Sequence, residues 1–509
     1  MDASGVQRRA IMVAILLLGL ALRLAPWGQN RFLEDEALYA DWGLKIATGA
    51  DPLLDEEPVD KPPLHLYTLA LSFTLFASPP RPGEAEGGLE TAARLPSLFA
   101  SVIGIALVYA LARSLPMRRG REEAALLAAL LLALSPFDIL FASTAFTDPL
   151  MVAWVLAALL AASRGRLGAA GLLIGLAAAT KQQGLLFLPL VTLLGWARLP
   201  MSDRHRKSWG RWLRFALGFG LAAVGVLWWD GARAQEPGFW AQGIISYGGL
   251  GPAQPEALGE RAVEWLKLVG GFWGTPGFWL LLLIGILVNW GLRDRKIGNW
   301  ELGIGHWELV DWVLAGFIVG FLLLHWLVGF QVWDRYLLGL VPLTAILAAR
   351  LLVRLGAAIR APRWRQTYAL GLTALLVLLL TGPVLQAARS ELPYGGDHGA
   401  YDGIDDLAAY LRQHAPPGAV LYHYWLGYHY RFYLRGVPLR LHWYPDPDDL
   451  ARDAVIYRRE PRYIAFPSFR DGSAAEAALR AAGIELEPVF EARRRDGTVS
   501  FRLYRLVNW

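Results

Sequence analysis

Long apolar runs recur along most of the chain and constrain its fold more than any other feature of the sequence. Runs close to 20 residues, as at 213–230, 309–329 and 367–386, are typical of helices that cross a membrane. With 55% hydrophobic and only 18% charged residues, the chain is too apolar for an ordinary soluble enzyme. We therefore predict an α-helical, polytopic membrane protein with about 11 spans.

Arginine clusters between the apolar runs predict the topology. An arginine pair at 8–9 precedes the first run and places the N-terminus in the cytoplasm, because basic residues resist translocation. If the short apolar segment 64–77 lies in the interface instead of spanning, the clusters at 113–121, 198–214 and 350–365 also face the cytoplasm. The net charge of +5 is then a topology signal and not a nucleic-acid-binding patch, and we expect the protein in the cell membrane.

The last part of the chain differs in character from the rest. We predict a transmembrane domain at 1–390, with a first outer loop at 26–93, and a separate domain at 391–509. In the latter, amphipathic runs alternate with short apolar runs: Asp405–Gln413, Pro447–Arg458 and Ala474–Ala482 against Ala419–Tyr422, Tyr463–Phe466 and Val499–Leu506. This alternation predicts a small α/β domain, which the topology places on the extracytoplasmic side.

Acidic residues open two of the predicted outer loops. Asp35 and Glu36 follow the first apolar run, and Asp148 directly precedes a later span. On one side of a helix bundle they would form a carboxylate cluster that accepts a proton from a hydroxyl or holds a divalent cation. The alternative is that Asp35 and Asp148 only cap helices. The other acids of the first loop, Glu34, Asp55, Glu56 and Glu57, are interpreted as a solvated face.

Cationic residues on the predicted outer side form a second group of candidates. Lys61 and Lys181 stand out because arginine greatly outnumbers lysine in this chain and both fall on the side that basic residues usually avoid. An ammonium group there would stabilise a departing phosphate, and snorkelling at the interface is the alternative. Arg335, followed by Tyr336, is a third cationic candidate, whose alternative is a surface ion pair with Asp334.

Two histidines are further candidates. His325 lies inside an apolar run, where a polar group usually faces protein or a water-filled cavity; a core histidine with one helix–helix hydrogen bond is the alternative. His65, beside a proline pair, would be a metal ligand only if other ligands join it.

Six short motifs occur in a fixed order between Asp35 and Pro342. They are Asp35-Glu36-Ala37-Leu38-Tyr39, Asp60-Lys61-Pro62-Pro63-Leu64, Arg94-Leu95-Pro96-Ser97, Ser135-Pro136 with Asp148, Gly175-Leu176 with Thr180-Lys181, and Arg335-Tyr336 with Pro342. In this order they resemble the motifs of the GT-C glycosyltransferases that depend on polyprenyl phosphate. The resemblance is to the protein O-mannosyltransferases and the lipid A aminoarabinose transferase in particular.

The resemblance implies roles for the residues that match its motifs. Asp35 would be the general base or the acid that orients the acceptor, and Asp148 would assist it. The donor phosphate would be bound by Lys61, Lys181, Arg335 and Tyr336, with Glu36, Tyr39, Asp60 and Arg94 in support. The chain departs from the family pattern where Asp60 replaces a common Glu and where Gln182-Gln183 follow Lys181 in place of Gly. A divalent cation stays a candidate cofactor, with its ligands unknown.

The function implied is that of an integral membrane, inverting glycosyltransferase. It would move a hexosyl or pentosyl group from a polyprenyl-phosphate donor to a hydroxyl of a lipid or protein on the extracytoplasmic side. A secondary transporter or lipid flippase is the alternative, since polar residues within a membrane also form transport pathways. A noncatalytic membrane scaffold with an outer binding domain is a third hypothesis.

Overall fold

A computed structural model describes residues 3–77, 87–197, 208–233, 236–247, 249, 251–291, 296–297, 300–301, 307–359 and 361–508. Three segments of the predictions therefore lie outside the described residues: 78–86 of the first outer loop, and the arginines of the clusters at 198–207 and at Arg360.

The first half of the chain is helical throughout. Its helices are α1 (Ala3–Leu24), α2 (Glu34–Thr48), α3 (Pro63–Phe76), α4 (Gly87–Ser114), α5 (Arg121–Ala133), α6 (Pro136–Ala142), α7 (Asp148–Ser163), α8 (Leu167–Thr180), α9 (Leu188–Ala197) and α10 (Ser208–Ala232). A 3₁₀ turn, Gln182–Phe187, connects α8 to α9.

Further helices and two very short strands complete the membrane part. They are α11 (Phe239–Ser246), α12 (Leu258–Gly271), α13 (Pro276–Gly291), β1 (Lys296–Ile297), β2 (Trp300–Glu301), α14 (Leu309–Leu327), α15 (Leu340–Ala358) and α16 (Pro362–Ala388). Two more 3₁₀ turns lie at Pro255–Ala257 and Asp334–Leu337.

Several of these helices are long and apolar enough to cross a membrane. Among the described residues there are six, or eight if each of two bent helix pairs forms one span. The six are Gly5–Leu24, Gly88–Ser114, Trp209–Ala232, Leu309–Leu327, Leu340–Ala358 and Pro362–Ala388. The multi-pass helical membrane fold is thus confirmed, whereas the count of 11 spans is not.

Helices α8 and α10 pack unusually closely through glycine. A Cβ atom on Gly171 would overlap the backbone carbonyl of Phe215, and one on Gly218 would overlap the carbonyl of Gly168. Small residues allow this approach, which replaces side-chain contacts by backbone packing inside an apolar bundle. The end of α8, where Lys181 follows, is therefore held in place by α10.

The first outer loop is itself a packed structure. Helix α2 and the short α3 pack together, and Tyr39, Trp42 and Leu66 are buried between them and their neighbours. Glu57 is also buried and pairs with Lys45 and with Arg431 of the C-terminal part. The interpretation of Glu57 as part of a solvated face was therefore wrong, because a cation from a distant segment offsets its desolvation.

The C-terminal part is an α/β unit built on one sheet. Its elements are α17 (Ile404–His414), β3 (Val420–His423), α18 (Gly427–Tyr433), β4 (Arg440–Trp443), α19 (Pro447–Ile456), β5 (Arg462–Pro467), α20 (Ser473–Ala481), β6 (Ile484–Arg493) and β7 (Val499–Asn508). The strand order is β4-β3-β5-β7-β6, in which β3 is parallel to β4 and β5, and β7 is antiparallel to β5 and β6. The predicted α/β domain is confirmed, with three helices and three strands close to their predicted positions.

The two faces of this sheet have different partners. On one face Val420, Tyr422 and Ile464 join a core with residues of α19 and α20. On the other face Leu421 and Leu503 belong to the core that is continuous with the membrane part, and α18 packs against α2. The alternation of side chains along each strand thus fixes the α/β unit against the first outer loop.

Buried polar contacts reinforce this interface. The Arg431 guanidinium lies 2.8 Å from the Asp41 carboxylate and also pairs with Glu57. The Tyr433 hydroxyl donates to Glu90 at 2.6 Å, and the His429 ring donates to the carbonyl of Phe32 at 2.8 Å. The outer loop and the α/β unit therefore form one connected body.

Removing Arg431 should loosen that body. We expect Arg431→Ala to lower the free energy of unfolding by about 3–5 kcal/mol, because buried Asp41 loses its cation at 2.8 Å and buried Glu57 keeps only Lys45. Arg452→Ala is the matched control, since Arg452 and Asp449 form an exposed ion pair of the kind that contributes about 0–1 kcal/mol. Thermal unfolding in detergent measures both variants, and equal losses for the two would contradict the expectation.

Candidate active site

The two acidic residues at the start of α2, Asp35 and Glu36, have different roles. Glu36 is buried and its carboxylate accepts hydrogen bonds from the backbone N–H groups of Leu33, at 3.0 Å, and Ala145, at 2.7 Å. It thereby closes the N-terminus of α2 and ties it to the loop before α7. The capping role, which was the alternative reading for Asp35, belongs to Glu36.

Asp35 instead pairs with a cation from a distant segment. Its carboxylate accepts a hydrogen bond from the Arg335 guanidinium at 2.6 Å, and 39% of its side chain is exposed. Burial alone would raise the pKa of the Asp35 carboxyl, but the charges of Arg335, Lys61 and Lys181 outweigh it and hold that pKa below its usual range. Asp35 is therefore an ionised, accessible carboxylate.

Asp148 lies in a different environment. It begins α7, is fully buried, and accepts a hydrogen bond from the Lys181 ammonium at 2.6 Å. Lys181 Nζ also lies 4.7 Å from the centre of the Tyr336 ring. The two acids expected to form a carboxylate cluster are thus each bound to their own cation.

Lys61 completes a group of three cations. It pairs with Asp60 and lies 5.0 Å from the centre of the Tyr247 ring. Tyr247, a residue that the sequence did not single out, is hydrogen-bonded to Tyr336. The lysines and Arg335 are therefore brought together with two tyrosine hydroxyls, as a site for an anion requires.

Two glutamines connect the segments that carry these cations. Gln182 donates to the carbonyl of Asp60 at 2.8 Å, and Gln183 donates to the carbonyl of Tyr336 at 3.0 Å. These are the residues where the chain departs from the family pattern after Lys181. Sequence reasoning noted them without assigning them a role, and only their place beside Lys181 could have drawn attention to them.

The remaining predicted residues support the site from outside it. Tyr39 is buried against the rings of Trp42 and His65. Arg94 bonds Glu90 at 3.2 Å and the carbonyl of Asn30 at 3.0 Å, which holds the start of α4 against the outer loop.

The two candidate histidines are held by hydrogen bonds within the fold. The His65 ring is hydrogen-bonded to the carbonyl of Ala145 at 2.9 Å. His325 is hydrogen-bonded to Phe321 within its own helix and lies 3.1 Å from Gln183. Within the described ranges, no three His, Asp or Glu side chains lie together as metal ligands would.

Two cavities open beside this cluster. The Lys181 cavity, of about 600 Å³, is lined by Lys181, Gln182, Gln183, Leu186, Tyr247, Gly251, Pro252, Leu324, His325, Leu327, Val328, Phe330 and Tyr336. The Asp35 cavity, of about 500 Å³, is lined by Leu33, Glu34, Asp35, Phe146, Trp333, Arg335, His423, Tyr424, Trp425, Gly427, Tyr428 and Trp443. Arg335 lines the Asp35 cavity and the next residue, Tyr336, lines the Lys181 cavity, so the two cavities lie on either side of this segment.

The cavities differ in character. The Lys181 cavity combines polar side chains, such as Lys181, with apolar residues, several of which belong to α14 and the segment that follows it. The Asp35 cavity lies between the membrane part and the α/β unit and is rich in aromatic side chains. The Lys181 cavity therefore suits a molecule with a charged head group and an apolar chain. The Asp35 cavity suits a polar molecule with flat faces.

Comparisons with known proteins agree with this description. Residues 60–229 match the family model of the dolichyl-phosphate-mannose-protein mannosyltransferases. No curated protein matches the chain by sequence.

Solved structures resemble the whole chain. ArnT from Cupriavidus metallidurans in the apo state is 16% identical with a TM-score of 0.65, over 99% of this chain and 98% of that one. The same protein bound to undecaprenyl phosphate is 17% identical with a TM-score of 0.63 over the same shares. The Archaeoglobus fulgidus oligosaccharyltransferase in the apo form is 14% identical with a TM-score of 0.54, over 97% of this chain and 74% of that one. The predicted resemblance is confirmed, and the chain is a multi-pass membrane protein with the GT-C fold.

Proposed function

We propose that this protein is a glycosyltransferase that moves a sugar from a polyprenyl-phosphate donor to a hydroxyl group on the extracytoplasmic side. The observation that carries the proposal is the convergence of Lys61, Lys181 and Arg335 next to the accessible carboxylate of Asp35. The N-terminus would be cytoplasmic and the α/β unit extracytoplasmic.

The donor would occupy the Lys181 cavity. Its phosphate would lie where Lys181, Tyr247 and Tyr336 meet, and its isoprenoid chain along Leu324, Leu327 and Val328. A fixed cluster of cations stabilises the charge that develops on a departing phosphate. This arrangement needs no metal ion for that step, because the chain's own cations surround the site.

The acceptor would approach from the Asp35 cavity. Asp35 would accept the proton of the attacking hydroxyl while Arg335 holds the carboxylate in place at 2.6 Å. Since the donor and acceptor cavities lie on either side of Arg335-Tyr336, the hydroxyl could attack the anomeric carbon on the face opposite the phosphate. Such an attack inverts the configuration at that carbon.

Sugar transfer by the purified protein tests the proposal. The protein in detergent or nanodiscs would be given radiolabelled polyprenyl-phosphate hexoses and pentoses together with a membrane lipid and protein extract. Incorporation of one sugar supports the proposal and identifies the donor. Transport of the donor across proteoliposomes without incorporation of any sugar would favour the flippase alternative.

The dependence of the rate on pH should report the Asp35–Arg335 pair. Because Asp35 must be ionised, activity is present above its pKa and is lost as the pH falls through it. Of the positive charges that lower the pKa of Asp35, that of Arg335 has the largest effect, and Arg335→Gln removes it. The acidic limb of the pH–rate profile should therefore move to higher pH. Profiles normalised to their own maxima measure the shift, and superimposable limbs would contradict this role for Arg335.

A further inference from the structure

A third cavity lies in the α/β unit. The sheet-edge cavity, of about 390 Å³, is lined by His423, Tyr424, Trp425, Leu426, Tyr444, Pro445, Asp446, Pro447, Ala465, Phe466, Pro467, Arg470, Asp471, Gly472, Ala474 and Ala475. These residues end or follow the parallel strands β3, β4 and β5. The cavity therefore lies at the carboxyl edge of the parallel part of the sheet.

At this edge the loops that follow neighbouring strands lead to opposite faces of the sheet. The loop after β3 leads to α18 on the face toward the membrane part, whereas the loop after β5 leads to α20 on the opposite face. Neighbouring parallel strands whose loops leave in opposite directions open a crevice between them, and open α/β sheets bind ligands there. The topology thus marks this cavity as a candidate binding site.

The sheet-edge cavity lies beside the Asp35 cavity. Both are lined by the segment His423-Tyr424-Trp425, which forms the wall they share. Trp425 is fixed there: its ring N–H donates to Glu34 at 2.7 Å, and the Arg470 guanidinium lies 4.1 Å from its ring centre. A ligand that enters beside Asp35 can therefore extend along Trp425 to the sheet edge.

Aromatic side chains are exposed along this path. Tyr424, Trp425, Tyr428 and Trp443 are each more than a third exposed, although aromatic residues of a folded domain usually gain stability by burial. Tyr424 and Trp425 line both cavities, and Tyr428 and Trp443 line the Asp35 cavity. Flat apolar faces at a concave site fit the C–H faces of sugar rings.

The polar groups of the path complement hydroxyls. Glu34 and Asp35 line one cavity, Asp446 and Asp471 the other, and carboxylates accept hydrogen bonds from hydroxyl donors. The buried Nδ1 atom of His423, at the shared wall, has no hydrogen-bond partner among the described residues. A sugar ring carries several hydroxyl groups close together, so one ring can donate to more than one of these carboxylates.

We propose that the acceptor is a glycan of at least two sugar units. The unit that carries the attacking hydroxyl would lie in the Asp35 cavity, and the next would lie in the sheet-edge cavity, with Trp425 between them. This inference rests on the proposed function and names the acceptor class of the same site.

Binding to full-length protein in nanodiscs tests this inference. Linear gluco-, manno- and chito-oligosaccharides of one to four units would be titrated and compared with serine- and threonine-containing peptides of similar length. We expect disaccharides or longer glycans to bind more tightly than single sugars, with Trp443→Ala weakening binding by about tenfold or more. Arg470→Ala should remove the gain from the second unit, and the exposed Ile456→Ala, which lines neither cavity, should change nothing.

Binding of undecaprenyl phosphate, measured on the same sample, distinguishes a failure of the glycan-acceptor inference from a failure of the proposed function. Equal affinity for one and several units, or Trp443-dependent binding of peptides in place of glycans, would overturn the inference. If undecaprenyl phosphate still binds in that case, the proposed function survives. If neither class of molecule binds, both fail.

Discussion

Replacing Asp35 by Asn should lower the rate of sugar transfer by about 10²–10⁴-fold, the contribution typical of a general base. The amide keeps the size of the carboxylate and can still accept a hydrogen bond from Arg335, but it cannot take up the proton of the acceptor. Because 39% of the Asp35 side chain is exposed, the substitution should change the solvation of this side chain little. Initial rates with the donor identified by the transfer assay measure the effect.

A control from the same outer segment makes this result interpretable. Glu56 is exposed, so Glu56→Gln removes one negative charge nearby without touching the cation cluster. We expect a wild-type rate and melting temperature for Glu56→Gln. Asp35→Asn should stay folded but melt at a lower temperature, because the nearly buried Arg335 loses its anion. A rate that Asp35→Asn leaves unchanged would refute the assignment of Asp35 as the base.

Lys181→Met should abolish transfer and also lower the free energy of unfolding by about 3–5 kcal/mol. The reason is that Asp148 is almost completely buried, with 1% of its side chain exposed, and Lys181 is the cation that it contacts at 2.6 Å. An uncompensated carboxylate in that position is costly. The matched control is Arg113→Met, which removes one member of an exposed ion pair and should change the stability by about 0–1 kcal/mol.

A double substitution separates the structural effect from the catalytic one. In Lys181→Met/Asp148→Leu both charges of the pair are removed, so neither is left buried without its partner. Most of the lost stability should therefore return, as it does when buried ion pairs are replaced by apolar residues. Transfer should stay absent, because the donor phosphate has lost one of its cations. A double variant that regains transfer along with stability would show that Lys181 serves the fold alone.

The sequence predicted which residues converge but not how they pair. The acids and cations at 35, 61, 148, 181 and 335 could be expected on one side of the bundle because each lies at an end of a helix or in a loop on the same predicted side. The predicted carboxylate cluster did not include the cations that pair with its members, Arg335 with Asp35 and Lys181 with Asp148. Like charges repel strongly where water is scarce, so each acid has a cation of its own.

Other features had no local signal at all. The burial of Glu57 depends on Arg431, which is 374 positions away in the chain. The helical form of the first outer loop did have a signal, since Glu34, Asp35 and Glu36 are favourable in the first turn of a helix. That signal entered the prediction only as the alternative in which Asp35 caps a helix, because the loop was expected to lie in water.

The glycine packing of α8 against α10 has a consequence for the substitutions that this protein would tolerate. Gly171 precedes Lys181 by ten residues, about 15 Å along a helix, and lies in the apolar bundle. A single methyl group there would push α8 away from α10 and displace its end as a rigid rod, carrying the ammonium group out of reach of Asp148. The position of a charge in the candidate active site thus depends on the absence of a side chain about 15 Å away along the helix.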